Sequence, residues 1–199
     1  MKQFYECADH SEALELLNRA GALFKGHFLL SSGLHSPEYF QCARLTEIPS
    51  IAEQIAKKIA EVVRQWNPTV VLAPAVGGIL IGYELARQLG IRNIFAERPT
   101  GAFELRRGFS LSPHDRVLLA ENVITTGGSV LEVASLVERV GATVAGFAVI
   151  VDRSGGAFSP AHPVATYLKT TAITYDPAEC PLCKSGIPIE KPGSRSFAP

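Results

Sequence analysis

Val117-Leu-Leu-Ala-Glu-Asn-Val-Ile-Thr-Thr-Gly-Gly-Ser129 is the stretch whose reading decides the fold. An apolar run ends in an acid, Glu121. A short Thr/Gly segment follows, and then apolar residues recur at helical spacing. The pattern predicts a buried strand over 117–120, a phosphate-sized loop, and a helix over 129–140 closed by Gly141. Backbone N–H groups and the positive end of the helix dipole suit a phosphate at such a junction, and the hydroxyls add donors. Glycines let the backbone come close to a ligand. An acid just before the loop suits ribose hydroxyls or a metal ion.

Outward from this stretch the same unit recurs. Residues 70–73 read as a buried strand, 74–78 as a loop, and 79–89 as a helix closed by Gly90. Further strands are expected at 92–96 and 143–151. A long helix opens at Pro49-Ser50, where Ser50 and Glu53 have capping-box spacing. Its apolar stripe is Ile51, Ile55, Ile59, Val62, Val63 and Trp66. Nearer the N-terminus, a helix over 11–20 has Ser11 as its cap and Gly21 at its end. Short strands are expected at 28–33 and 37–40. Short apolar runs alternating with helices predict a doubly wound parallel sheet flanked by helices, with ligands outside the carboxyl ends of its strands.

The chain has 199 residues, 47% hydrophobic and 19% charged, with 19 basic and 19 acidic side chains. These are globular values with no global charge pointing to nucleic acid or an anionic membrane. No apolar stretch reaches the roughly 20 residues of a membrane span, and the first residues lack a signal-peptide core, so a cytoplasmic location is expected. Four cysteines are too few for a disulfide scaffold at this length. Residues 97–115 carry glycines, prolines and Arg98, Arg106 and Arg107, and read as a long functional connection.

The segment 117–129 resembles the 5-phosphoribosyl-1-pyrophosphate (PRPP) signature of type I phosphoribosyltransferases: an apolar run, two adjacent acids, two apolar residues and a Thr/Gly-rich loop. Asn122 stands here in place of the second acid. The resemblance implies that Glu121 and Asn122 face ribose hydroxyls. It implies a PRPP site running from Glu121 through Val123, Ile124, Thr125, Thr126, Gly127, Gly128 and Ser129. The loop of Ala75, Val76, Gly77 and Gly78 would meet pyrophosphate, without the lysine some relatives have there. Arg98 would serve a loop that closes over PRPP, often in the neighbouring subunit's site, so a homodimer is implied; Arg106 and Arg107 are assigned to that loop by their charge and location, since a guanidinium can stabilise charge building on pyrophosphate.

The run from Gly26 to Pro37, followed by Tyr39 and Phe40, resembles the N-terminal part of orotate phosphoribosyltransferases, specifically the shorter-loop bacterial type. That likeness implies transfer of the phosphoribosyl group from PRPP to orotate in pyrimidine (UMP) biosynthesis, with Mg2+ held mainly by PRPP. Ser31, Ser32, Tyr39, Phe40 and Thr125 are the implied orotate contacts. Arg153, at a strand's end beside Asp152, offers a guanidinium fork that matches a carboxylate. Two other readings stay open: a transferase for a purine base, and a PRPP-binding regulatory protein with weak or no catalysis.

Residues 1–48 are expected to form a hood, 49–175 the PRPP-binding core, and 176–199 an irregular tail joining the hood, in one structural domain overall. The tail, with Cys180-Pro-Leu-Cys183 and then Lys191-Pro-Gly-Ser194-Arg195, is similar to the same subgroup. Cys180 and Cys183 make half a zinc site; Cys7 with His10, or a second subunit, are the candidates for the other half. His35 reads equally as a ligand contact or a structural histidine.

Overall fold

The structure is a computed structural model that describes residues 3–30, 32–171 and 173–192. The described residues hold nine strands and six α-helices. The strands are β1 (Phe4–Glu6), β2 (Leu23–Leu29), β3 (His35–Phe40), β4 (Val70–Pro74), β5 (Arg92–Glu97), β6 (Glu104–Leu105), β7 (Arg116–Ile124), β8 (Thr143–Asp152) and β9 (Val164–Lys169). The helices are α1 (His10–Arg19), α2 (Ala43–Thr46), α3 (Pro49–Val63), α4 (Ile79–Leu89), α5 (Gly128–Arg139) and α6 (Pro181–Lys184).

Seven strands form one sheet in the order β1-β9-β8-β7-β4-β5-β6, parallel except for the short edge strand β6. Period-two alternation divides its residues between two cores. Leu118 and Ala120 of β7 face α1, α3 and α4, whereas Val117 and Leu119 face α5. A strand buried on both faces reads as an unbroken apolar run, which is why 117–120 was legible. Gly146 is required where β8 passes Trp66: a Cβ there would lie 2.6 Å from the indole ring.

Ile51, Ile55 and Ile59 of α3 are buried at four-residue intervals, with Val63 closing the stripe. Each such side chain contributes about 1.5–3 kcal/mol by leaving water. Pro49 takes the first helical turn, so Ser50 lies inside the helix and the expected Ser50–Glu53 box does not form. Glu53 instead pairs with Arg87 of α4 at 2.6 Å. At α1 the cap is Asp9 rather than Ser11: its carboxylate accepts the Ser11 N–H at 2.9 Å.

The remaining differences are of extent, together with the strands β1, β6 and β9, which the sequence pattern does not mark. β7 runs on to Ile124, so Glu121 to Ile124 lie in the strand rather than after it. β1 pairs with β9 and α1 packs into the main core, so residues 4–19 belong to the main layers and not to a hood. The β2–β3 hairpin forms a separate two-stranded sheet. The C-terminal segment lies along it: Leu29 donates to Glu190 O, Glu190 donates to His27 O, and His35 and Tyr175 exchange two backbone hydrogen bonds. The described part of that segment includes the short helix α6. Among the described residues no helix is long and apolar enough to cross a membrane.

Candidate active site

The site follows from where the helices lie. The helix after β4, α4, packs on one face of the sheet, and the helix after β7, α5, on the other. β4 and β7 are neighbours, so the two connections part between them; that divergence opens a crevice at the strands' carboxyl ends. Pairing of β4 with β7 is recorded to Leu72↔Leu119, while β7 continues beside β8 to Ile124↔Asp152. Glu121, Asn122, Val123 and Ile124 therefore extend the crevice wall beyond β4.

Glu121 is buried, with one oxygen accepting the Asn122 N–H at 2.9 Å. Desolvation raises its pKa to about 7, and that one hydrogen bond opposes the rise only in part. Asn122 turns its Oδ1 to the Val123 N–H at 2.7 Å. Its amide nitrogen lies so near the loop after β4 that a Cβ on Gly77 would be 2.7 Å from it. Ala75, exposed Val76, Gly77 and Gly78 form that loop, and a Cβ on Gly78 would sit 2.8 Å from Ala120 O. Both glycines are thus fixed by close approach to β7, at Asn122 and Ala120.

On the other side of the crevice, Thr125 and Thr126 are exposed, and Gly127 caps α5 at φ +79. A Cβ on Gly127 would run into the buried Phe158 ring. Thr126 Oγ1 accepts the Gly128 N–H at 3.4 Å, but the cap residue itself provides no side-chain bond to the first turn. The N–H groups of Gly128 and Ser129 face the mouth of a twelve-residue helix, the arrangement that suits an anion.

Arg153 follows β8 directly and is 6% exposed. Its backbone N–H holds Ile124 O at 2.8 Å, locking it to the end of β7. The guanidinium lies over the Phe40 ring, 4.8 Å from its centroid. Its Nε and Nη2 are buried without a hydrogen-bond partner. Desolvation lowers its pKa, against the opposing fields of Cys42, Glu38 and Tyr39. Cys42, wholly buried, is pushed up to about 12 and feels both Arg153 and Glu121. Burial also raises Tyr39, whose ring lies tilted against Phe28 with centroids 5.9 Å apart. The hairpin thus brings Tyr39 and Phe40 to Arg153, while exposed Ser32 sits at its turn and accepts the Leu34 N–H. Ser31, Ser194 and Arg195 lie outside the described residues.

The arginine loop is less open than its composition suggests. Glu104–Leu105 pairs with β5 as β6. Arg98 pairs with Glu132 of α5 and lies over Phe103, 4.2 Å from the ring centroid. Arg107 holds Glu97 through two bonds of 2.9 Å. Arg106 is exposed and adds to the field that lowers Glu97. In this conformation the chain's own acids hold Arg98 and Arg107.

Cys180 and Cys183 do not gather Cys7 or His10. They meet His27 and His35 of the hairpin, all four ligand atoms lying within 4.8 Å of one another. Burial, with a smaller contribution from the Glu61 charge, instead raises the Cys7 thiol to about 12. His27 was missed because its partner is set by hairpin register: Leu29 lies opposite His35, and His27 sits two residues away on the same face. Phe158, behind Gly127, was missed because it lies in a loop with no periodic signal.

The phosphoribosyl transferase domain model matches residues 41–180. The orotate phosphoribosyltransferase of Chlorobaculum parvum is 50% identical over 189 residues, 95% of this chain and 98% of that protein. The orotate phosphoribosyltransferase of Thermotoga maritima is 47% identical over 183 residues, 92% of this chain and 98% of that one. Among solved structures, the orotate phosphoribosyltransferase of Mycobacterium tuberculosis superposes with TM-score 0.68 at 26% identity, covering 81% of this chain and 97% of the other. The chain therefore belongs to the phosphoribosyltransferase family, within the group of the orotate phosphoribosyltransferases.

Proposed function

We propose that the crevice between β4 and β7 binds PRPP and that the protein transfers its 5-phosphoribosyl group to orotate, giving orotidine 5′-monophosphate and pyrophosphate in pyrimidine biosynthesis. The observation that carries this reading is Arg153: a buried guanidinium on an aromatic ring, two nitrogens unpartnered, beside the acid-lined crevice. A cation so placed calls for a planar anion, and orotate presents a carboxylate to a bidentate fork. Tyr39 and Phe40 offer the ring its apolar walls, with Ser32 and Thr125 as polar contacts. A purine base offers Arg153 no carboxylate.

The N–H groups at the start of α5, with Thr125, Thr126 and Ser129, hold the 5-phosphate. Glu121 and Asn122 hold the ribose hydroxyls, and Ala75, Val76, Gly77 and Gly78 approach the pyrophosphate. A buried carboxylate with one backbone donor also fits the neighbourhood of a hard divalent cation. Mg2+ bound through PRPP supplies neutralisation of the leaving pyrophosphate. Glu121 as carboxylate counters positive charge growing on the ribose, and no covalent nucleophile is needed. Arg98, Arg106 and Arg107 exchange their present surroundings for pyrophosphate when the loop closes; exposed ion pairs are weak enough to permit it. Exposed Leu80 and Tyr83, three residues apart on α4, support a homodimer.

Arg153→Ala tests the assignment. Losing a charge-assisted pair removes about 1.5–3 kcal/mol, so KM for orotate should rise roughly ten- to hundredfold while KM for PRPP changes little. Equal weakening of both substrates would sink the carboxylate grip.

A further inference from the structure

We propose that His27, His35, Cys180 and Cys183 form a closed tetrahedral Zn2+ site that staples the C-terminal segment to the β2–β3 hairpin. His27 Nε2 lies 2.9 Å from His35 Nδ1, 3.6 Å from Cys180 Sγ and 3.8 Å from Cys183 Sγ, and Cys183 Sγ lies 3.3 Å from His35 Nδ1. Zn–N bonds of about 2.0–2.1 Å and Zn–S bonds of about 2.3 Å place tetrahedral ligands roughly 3.3 Å apart for two nitrogens, 3.6 Å for nitrogen and sulfur, and 3.8 Å for two sulfurs. The two His27–sulfur separations lie within about 0.2 Å of those edges and the other two about 0.3–0.4 Å inside them, and with all four atoms within 4.8 Å small side-chain rotations complete the tetrahedron. Two thiolates with two imidazoles select zinc among common divalent ions.

The second shell agrees. His27 Nδ1 lies 2.8 Å from Ile187 O. A carbonyl only accepts, so Nδ1 carries the proton and Nε2 turns its lone pair to the cluster, the tautomer a metal requires. The ligands come from two distant pieces of chain. His27 and His35 lie diagonally across the hairpin; Cys180 caps α6 and Cys183 sits in its single turn, with Pro181 between them. α6 buries none of its own residues, so apolar packing gives it little hold. A metal joining it to the hairpin closes a loop of more than a hundred residues, where such a clip is most effective. Two thiolates and one divalent ion leave no net charge beside buried His27, His35 and Cys180. With four protein ligands and no open position the role is structural.

The test is metal content, with no reliance on turnover. Protein produced with Zn2+ in the medium and then desalted should carry about one zinc per chain. Cys183→Ser, at an exposed position, should lose at least about nine-tenths of it and keep its far-ultraviolet circular dichroism. Wild-type protein stripped with a chelator and titrated with Co2+ alone should develop the intense visible bands of a tetrahedral thiolate site, absent in Cys183→Ser. Chelation should lower the Tm of the wild type and leave that of Cys183→Ser unchanged. Wild-type zinc no higher than in Cys183→Ser, cobalt without tetrahedral bands, or a Cys180–Cys183 disulfide in freshly isolated protein would each overturn the proposal.

Discussion

Replacing Glu121 by Gln should stabilise the protein in the absence of ligand, by an amount set by pH. The carboxyl is buried and its pKa is raised from 4.5 to about 7. A carboxyl whose folded pKa is raised keeps its proton in the fold while the unfolded chain releases it, so stability falls as pH rises from 4.5 towards 7. Above 7 the fold carries the full cost of an ionised buried acid, about 3 kcal/mol at 1.36 kcal/mol per pH unit. Gln keeps an oxygen for the Asn122 N–H and has nothing to ionise. The two proteins should therefore match near pH 4.5 and diverge to about 3 kcal/mol at pH 8, or about 6–12 °C in Tm for a chain of this size. Chemical denaturation of both proteins across that range is the assay. Parallel stability profiles from pH 4.5 to 8 would refute the reasoning, because the acid would then not be held against its ionisation. The same substitution should weaken PRPP binding, a site made costly to the fold by its function.

Asn122→Asp supplies the second acid and should keep or raise turnover with orotate; a large loss in kcat would show that the site is built around the amide and its contact with Gly77. Gly127→Ala forces a Cβ into the Phe158 ring at a left-handed φ and should cost about 2–4 kcal/mol of unfolding free energy. A loss below about 1 kcal/mol by denaturant titration would show that the loop yields.

The apolar runs of β4, β7 and β8 were plain in the sequence because strands buried on both faces leave no polar alternation. The turn after β4 and the helix start after β7 were plain because adjacent glycines mark close approach, here to Asn122 and to Phe158. β1 was not legible: three residues of Phe4–Glu6 carry no period, and their pairing with β9 is a long-range choice. The Ser50–Glu53 spacing misled because Pro49 claims the first turn. The partners of Cys180 and Cys183 lay some 150 residues away, on a hairpin whose register no local pattern reveals. Arg153 was legible as a strand-end cation; that its nitrogens are buried and unpartnered is a fact of packing against Phe40.

The most direct measurement is steady-state product formation with PRPP and Mg2+ across orotate, adenine, guanine and hypoxanthine. The expected result is turnover of orotate alone, with orotidine 5′-monophosphate and pyrophosphate formed one for one. Turnover of a purine base, or PRPP binding with no turnover of orotate, would contradict it.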